Sequence, residues 1–94
     1  YSLYTAAKAA LESLTKSLSR ELAPKIRVNA IAPGIILWPE NAKVSEEVKK
    51  EIISKTALGR MGKPEDIAAV AHLLYESTYI TGQVLKVDGG RSPI

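Results

Sequence analysis

The sequence predicts an α/β fold built on a parallel sheet. Three helical patterns and two short strands alternate along its 94 residues, in the order helix, strand, helix, helix, strand. Strands that are separated by helices pair in parallel, since the connecting helix returns the chain to the end of the sheet at which the previous strand began. Apolar residues make up 46% of the chain and charged residues 24%, which is typical of a globular domain. A chain of this length forms one small domain at most, with a core of marginal stability.

The first helix is predicted over residues 4–22, and Pro24 is expected to end it. Two of its faces differ in character. One face carries small side chains that let another helix approach closely, and it packs either on a further part of the same fold or on a second subunit; its members are Ala6, Ala10, Ser13 and Ser17. The other is an apolar stripe with spacings of three and four, formed by Ala7, Leu11, Leu14, Leu18 and Leu22.

The first strand is predicted over residues 26–31, a short and mixed stretch, and Pro33-Gly34 is expected to break it. The loop that follows is unusual, because loops tend to expose polar side chains to water. Its apolar residues include Ile35 and Trp38, and between them Ile36 and Leu37 either cap the core or line a pocket.

The second helix is predicted from Ser45 to about Thr56. Ser45 is suited to the N-cap position, and Glu46 and Glu47 are favourable in the first turn, where the helix dipole attracts negative charge. The helix is expected on the surface, since its apolar edge consists only of Val48, Ile52 and Ile53.

The third helix is predicted to begin at Pro64, with Glu65 and Asp66 in its first turn. It is apolar over much of its surface and is therefore expected to be well buried. Its single histidine, His72, has no second histidine or carboxylate pattern beside it, so we expect a structural role and no metal site. A second strand is predicted over residues 83–87, and Asp88-Gly89-Gly90 is expected to end it as a structural turn.

Composition argues against several classes of partner. The net charge is +3 and the basic residues are interspersed with acidic ones, so no nucleic-acid partner is expected. No apolar run approaches the ~18 residues of a membrane span, and no signal-peptide pattern is present. The absence of cysteine excludes disulfides and thiolate metal sites and fits a reducing compartment, so we expect a cytoplasmic location.

Tyr4 and Lys8 are the first candidates for chemistry. They are four residues apart, so they share one face of the first helix. A free phenol has a pKa near ~10, and a neighbouring lysine cation lowers that pKa, which makes the phenol a better acid–base catalyst near neutral pH. The same spacing occurs on many solvated helices, and the pair alone does not separate the two interpretations.

Four further segments follow Tyr4-Thr5-Ala6-Ala7-Lys8 in a specific order. In this order and at these distances, the whole chain resembles the short-chain dehydrogenase/reductase family from its catalytic helix to its C-terminus. The resemblance implies that residues 1–94 are the C-terminal segment of a single Rossmann-like domain with a doubly wound parallel sheet, whose N-terminal nucleotide-binding part is absent. The segments are Ile26-Arg27-Val28-Asn29-Ala30-Ile31-Ala32-Pro33-Gly34, residues 59–68, Tyr79-Ile80-Thr81-Gly82-Gln83 and Val87-Asp88-Gly89-Gly90.

The resemblance also implies roles for individual residues. Tyr4 matches the general acid/base that exchanges a proton with the substrate. Lys8 matches the residue that lowers the pKa of that tyrosine and hydrogen-bonds the nicotinamide ribose of the cofactor, which we expect to be NADPH. Pro33, Gly34 and Ile36 match the loop that meets the nicotinamide, with the backbone at Ile36 holding the carboxamide.

The loop departs from the family pattern at Trp38. Many members have a threonine there that contacts the cofactor phosphates, whereas an indole suits a flat ring. Residues 34–40 look most like bacterial pteridine reductases, so Leu37 and Trp38 are predicted to bind a pterin or dihydrofolate-like substrate. The alternatives are a 3-oxoacyl-acyl-carrier-protein reductase and a steroid or sugar dehydrogenase.

No Gly-rich turn follows a strand in this sequence, so the site that would hold the cofactor pyrophosphate is missing. The isolated chain is therefore predicted to be inactive and to need the N-terminal part of the same fold as its partner. The family resemblance also implies a homotetramer or homodimer, formed through the helix that begins near Tyr4. A different hypothesis is a structural or interaction module, since a strand with an unpaired edge favours pairing with another chain.

Overall fold

The computed structural model of the chain describes residues 2–36 and 45–91, without the side chain of Tyr4. Its elements follow the predicted order. They are α1 (Ser2–Leu22), β1 (Ala30–Pro33), α2 (Glu46–Ser54), α3 (Pro64–Glu76) and β2 (Val84–Val87). The predicted α/β class is confirmed.

The two strands form a parallel pair, as predicted. Ala30 lies opposite Val84 and Pro33 lies opposite Val87, with the intervening residues in register. The prediction that the first strand covers residues 26–31 was wrong at both ends. The main chain at Val28 binds the turn before β2 instead of the strand itself, since its carbonyl accepts from the Gly82 N–H at 2.8 Å.

Pro33 is the last residue of β1 and not its breaker. The N–H groups of Ala30 and Gly34 both donate to the β2 side, at 2.9 Å to the carbonyls of Gln83 and Val87. Because these directions alternate along a strand, the nitrogen of Pro33 faces the opposite edge of β1. No described strand lies on that edge, so the missing N–H removes no bond from the ladder.

Side chains from the segment before β1 fasten it to α3 and to the turn that follows. The Arg27 guanidinium donates to the carbonyls of Leu74 and Ser77 at 2.8 and 2.9 Å. The Asn29 amide donates to the Ile80 carbonyl at 3.0 Å and accepts from the Gln83 N–H at 3.0 Å. These polar contacts align the start of β1 with the start of β2.

α1 packs with a different face from the one that the sequence predicts. Its least exposed residues are Thr15 and Ser19, which are 3% and 5% exposed, and this face continues toward the start of the helix through Glu12 and Lys8. The predicted apolar stripe stays open, with Leu14 56% exposed. The described sheet has only two strands, so it covers only one narrow side of the helix.

α2 and α3 begin as predicted. The Ser45 hydroxyl accepts from the Val48 N–H at 3.3 Å, and Pro64 is the first residue of α3. The prediction that α3 is well buried was wrong, because Leu74 is its one residue classed as buried, and Leu73 is 52% exposed. β1 is the element that α3 packs against most extensively, and the apolar sides that point elsewhere find no cover in the described part of the chain.

Few apolar side chains are buried in the described residues. They are Ile36 and Leu74, each 8% exposed. Among the same residues, no helix combines the length and the apolar character that crossing a membrane requires.

Candidate functional site

Three segments converge at the carboxyl end of the two strands. They are the loop after β1 (residues 34–36), the loop between α2 and α3 (residues 55–63) and the turn after β2 (residues 88–90). Ligands of open α/β sheets bind beside the carboxyl ends of the strands, so this edge is the candidate site.

Gly34 holds the loop after β1 against the turn after β2. Its N–H donates to the Val87 carbonyl at 2.9 Å. A Cβ atom added to Gly34 would lie 2.7 Å from both the Cα and the Cβ of Asp88. Any side chain at this position would therefore push the loop away from the turn, because the main chain of Asp88 offers no room.

Gly62 holds the same loop from the other side. It forms a parallel bridge with Ile36, in which the Gly62 N–H donates to the Ile35 carbonyl at 2.9 Å. A Cβ atom on Gly62 would lie 2.6 Å from the Cδ1 of Ile36, which is buried. Two glycines thus fix the backbone between Gly34 and Ile36, one within the loop and one opposite it.

The described hydrogen bond between this loop and Gly62 does not use the N–H and C=O of Ile36. Gly62 binds the carbonyl of Ile35, and the polar groups of successive extended residues point in opposite directions. The N–H and C=O of Ile36 are therefore directed away from Gly62. A donor and an acceptor side by side are complementary to a primary carboxamide.

The turn after β2 is fixed by its own aspartate. The Gly90 N–H donates to the Asp88 carboxylate at 3.0 Å, and the Arg91 N–H donates to the Asp88 carbonyl at 3.1 Å. The Leu58 N–H donates to the Gly89 carbonyl at 2.9 Å, which ties the α2–α3 loop to this turn. The predicted structural turn at Asp88-Gly89-Gly90 is confirmed.

A cavity of about 180 Å³ opens between these segments. Its wall is mainly apolar, and an ion pair of Arg60 with Asp66 lies at its polar side. The apolar lining residues are Ile35, Ile36, Leu58 and Val87.

The ion pair at the cavity has fork-like geometry. Arg60 Nη1 lies 3.0 Å from Asp66 Oδ2, and Arg60 Nη2 lies 3.4 Å from Asp66 Oδ1. The hydrogen bonds from the Arg60 guanidinium, and next the bond from the Lys63 N–H, hold the pKa of Asp66 below its ordinary value. The Asp66 carboxylate in turn raises the pKa of Arg60. Sequence reasoning missed this pair, although a carboxylate two residues after Pro64 is a recognisable capping acceptor.

Tyr4 and Lys8 lie on one turn of α1, as predicted. Ser19 lies beside Gly82, just before β2 begins, since a Cβ atom on Gly82 would lie 2.8 Å from its hydroxyl. α1 rises about 16 Å between Ser19 and Lys8, and the six residue steps from Gly82 to Asp88, which lies beside Gly34, span about 20 Å. The short connection between α1 and β1 makes them antiparallel, so we infer that Lys8 lies near the level of Gly34. The half-buried state of Lys8 agrees with this.

The predicted substrate residues, Leu37 and Trp38, lie outside the described residues. Of the predicted cofactor residues, the structure brings Pro33, Gly34 and Ile36 together at one sheet edge. Within residues 2–36 and 45–91, no group of histidine or acidic side chains is arranged to hold a metal ion.

The described residues would suit the nicotinamide end of a nicotinamide dinucleotide, because a backbone donor and acceptor at Ile36 adjoin an apolar cavity wall. They supply no counterpart for the pyrophosphate, since the sequence lacks a Gly-rich turn between a strand and a helix. The fit therefore extends to one end of the cofactor.

The chain is similar to known proteins over nearly its whole length. The family profile described as Enoyl-(Acyl carrier protein) reductase matches residues 1–92. The 3-oxoacyl-[acyl-carrier-protein] reductase FabG of Thermotoga maritima is 47% identical over 90 residues, which are 93% of this chain and 37% of that protein. The 3alpha-hydroxysteroid dehydrogenase of Mediterraneibacter gnavus is 48% identical over 89 residues, which are 92% of this chain and 36% of that protein.

The fold is shared with solved structures. The crystal structure of a small-chain dehydrogenase in complex with NADPH superimposes with a TM-score of 0.78 at 37% identity, covering 88% of this chain and 39% of that chain. The chain thus spans somewhat more than a third of the length of the proteins that it matches.

Proposed function

The chain belongs to the short-chain dehydrogenase/reductase family, and from that membership we propose that it is the C-terminal part of an NADPH-dependent reductase. The observation that carries this proposal is the loop of residues 34–36, which two close contacts hold at the carboxyl edge of a parallel sheet. The N-terminal nucleotide-binding part is its partner in the fold. A homotetramer or homodimer and a cytoplasmic location stay predictions.

The proposed chemistry divides between cofactor and protein. When bound beside Ile36, NADPH would supply a hydride to the carbonyl or imine carbon of the substrate. Tyr4 donates the proton to the carbonyl oxygen or imine nitrogen, and Lys8 keeps the phenolate form accessible through its positive charge. The structure supports this assignment of roles by placing both residues at the start of α1, one turn apart.

Ile36 orients the cofactor in this proposal. Its backbone N–H and C=O, which point away from Gly62, bind the nicotinamide carboxamide and so decide which face of the ring meets the substrate. A backbone contact of this kind does not depend on the side chain at position 36. It depends on the path of the main chain, which the two glycine contacts fix.

A 3-oxoacyl thioester is the substrate class that we propose, with reduction of the 3-keto group to a hydroxyl. The FabG of Thermotoga maritima, at 47% identity, supports this choice over our pterin prediction. The steroid dehydrogenase, at 48% identity, shows that similarity over this segment does not separate carbonyl substrates from one another.

A pterin is the second candidate, and one sequence feature favours it. Trp38 occupies a position where many family members have threonine, and an indole stacks on planar rings. Leu37 would contribute an apolar contact beside it.

A substrate comparison tests the proposal. The full-length protein that contains this chain would be assayed for NADPH oxidation with an acetoacetyl thioester, a dihydropterin and a 3-ketosteroid. We expect the acetoacetyl thioester to give the highest kcat/KM. A higher value with the dihydropterin would replace the thioester by the second candidate, and no turnover with any carbonyl or imine substrate would contradict a reductase.

Tyr4→Phe tests the role of the proton donor in the same protein. We expect kcat to fall roughly 10²–10⁴-fold, the usual contribution of one positioned acid, while the Kd for NADPH changes little. Tyr79→Phe is the matched control, because Tyr79 is fully exposed and lies after α3. Wild-type turnover by the Tyr4 variant would show that another group supplies the proton.

A further inference from the structure

The loop between α2 and α3 contains a feature that the proposed chemistry does not use. Arg60 and Asp66 lie on either side of Gly62 in the sequence and form an ion pair with two short contacts. The pair is largely open to water, with 51% of the Arg60 side chain and 33% of the Asp66 side chain exposed. Exposed ion pairs contribute little to the stability of a fold, so a contribution to stability does not by itself account for this geometry.

The two side chains fasten the main chain around Gly62. Arg60 Nη1 donates to the Met61 carbonyl at 3.0 Å as well as to Asp66. The Asp66 carboxylate also accepts from the Lys63 N–H at 2.8 Å. The residues immediately before and after Gly62 are therefore both bound to the same ion pair, which leaves Gly62 little freedom to move.

Gly62 transmits this restraint to the loop after β1. Its N–H donates to the Ile35 carbonyl at 2.9 Å, and the site where its Cβ would be lies 2.6 Å from Ile36 Cδ1 and 3.8 Å from Asp66 Oδ2. Gly62 thus lies between the ion pair and Ile36. A chain of contacts runs from Arg60 and Asp66 through Gly62 to the backbone of Ile36.

We propose that Arg60 and Asp66 are positioning residues for the nicotinamide, because their ion pair fixes the backbone of Ile36 through Gly62. This inference rests on the proposed function, in which the Ile36 backbone holds the carboxamide. Loss of the ion pair then loosens the grip on the cofactor, while the N–H and C=O of Ile36 that bind the carboxamide remain in place.

Asp66→Asn and Arg60→Gln test the inference in the full-length protein. Asparagine has the shape of aspartate and still accepts from the Lys63 N–H, so α3 keeps its cap while the ion pair is lost. Arg60→Gln removes the other partner and leaves the capping carboxylate in place. We expect the Kd for NADPH, measured by equilibrium titration, to rise about tenfold in each variant, which corresponds to the loss of about one hydrogen bond to the ligand.

The matched control is Lys55→Gln, which breaks the exposed ion pair of Lys55 with Glu51 in α2. We expect this variant to bind NADPH as the wild type does. The melting temperatures of all three variants should agree within about 2 °C, since exposed ion pairs carry little stability. In turnover assays, Asp66→Asn and Arg60→Gln should show a higher KM for NADPH and a kcat within about twofold of wild type. Lys55→Gln should match the wild type in both constants.

Hydrogen exchange at the Gly62 amide gives a readout that does not depend on activity. This N–H is bonded to Ile35, and we expect it to exchange about tenfold faster in Asp66→Asn and Arg60→Gln than in Lys55→Gln. Arg60→Lys keeps the charge but lacks the planar fork, so it should restore only part of the wild-type protection.

Three results would overturn the inference. They are a wild-type Kd in both variants, an equal loss of affinity in Lys55→Gln, and unchanged exchange at Gly62. If the wild-type protein itself does not bind NADPH, the proposed function is wrong, and the exchange rate alone then decides whether the ion pair restrains Gly62.

Discussion

The guanidinium of Arg27 donates to four main-chain carbonyls at the end of α3 and in the turn beyond it. Those of Leu74 and Tyr75 belong to the last turn of the helix, where carbonyls lack partners within the helix. Those of Ser77 and Ile80 follow it. The Arg27 side chain thus caps the C-terminal end of α3, the helix that precedes β2.

Arg27→Lys is therefore predicted to destabilise the fold although it preserves the charge. A lysine ammonium is a compact donor that does not span four separated carbonyls, so some of them lose their partner. We expect the free energy of unfolding to fall by about 1–3 kcal/mol in urea titrations of the full-length protein.

Arg20→Lys is the control for this change, because Arg20 is exposed in the last turn of α1. We expect it to alter stability by less than about 0.5 kcal/mol. Equal effects of the two substitutions would mean that the carbonyls at the end of α3 find other partners in the variant.

The sequence predicted residues that act locally better than residues that act at a distance. Ser45 was assigned correctly, because an N-cap needs only the N–H three residues later. The contacts of Arg27 join residues 47–53 positions apart, and no spacing rule along the chain indicates such partners. The same holds for Gly62 and Ile36, whose close approach depends on how two loops meet.

At the scale of elements, the start of α3 depends on one carboxylate. Asp66 accepts from the Lys63 N–H and from Arg60, and both contacts favour its ionised form. Its pKa lies below the ordinary value of 3.8, with the bonds from Arg60 and then Lys63 as the main causes. A depressed pKa in the folded state stabilises the fold above the ordinary pKa, and that contribution is lost as pH falls through the folded value.

Asp66→Asn is thus expected to change the pH dependence of stability. The melting temperature of the wild type should exceed that of the variant by a small, constant amount above about pH 5. The difference should shrink once the pH falls below 3.8. Differential scanning fluorimetry between pH 6 and pH 3 (about one measurement per half unit) measures it, and a difference that stays constant over this range would contradict the assignment.

The faces on which the helices pack were only partly predictable. Periodicity predicted an apolar stripe as the packing face of α1, yet the buried residues of this helix are Thr15 and Ser19. A hydrophobic period shows that a face seeks burial and does not show which neighbour is present. The interpretation of the small-residue face as a contact with a second subunit or with the rest of the fold stays a prediction.

At the scale of the whole molecule, the chain exposes apolar surface that a complete domain would cover. Leu3 is 83% exposed and Leu58 is 71% exposed, while the buried apolar residues of the described part are Ile36 and Leu74. Packing such side chains against another part of a structure would remove their apolar surface from water and stabilise the fold. The relatives offer such a part, since the chain spans only 37% of the Thermotoga protein.

The purified 94-residue chain is accordingly predicted to bind NADPH poorly. It contains the loop that we propose for the nicotinamide and lacks the Gly-rich turn for the pyrophosphate, which normally meets a helix N-terminus. Titration of the chain with NADPH should show no saturation at micromolar concentrations, and addition of the N-terminal part as a separate chain should restore binding. Stoichiometric binding by the 94-residue chain alone would contradict this prediction.

Because β1 pairs with β2, the sheet cannot form until the ribosome has synthesised both strands. The hydrogen-bonded residues Asn29 and Gln83 are 54 positions apart. Ribosomes add about 5–20 residues per second, so roughly 3–10 s pass between the synthesis of one partner and the synthesis of the other. During that interval β1 exists without the strand that aligns it, while the residues of α2 and α3 are synthesised. Slow translation of the intervening segment would lengthen the wait in proportion, without altering a single contact of the finished protein.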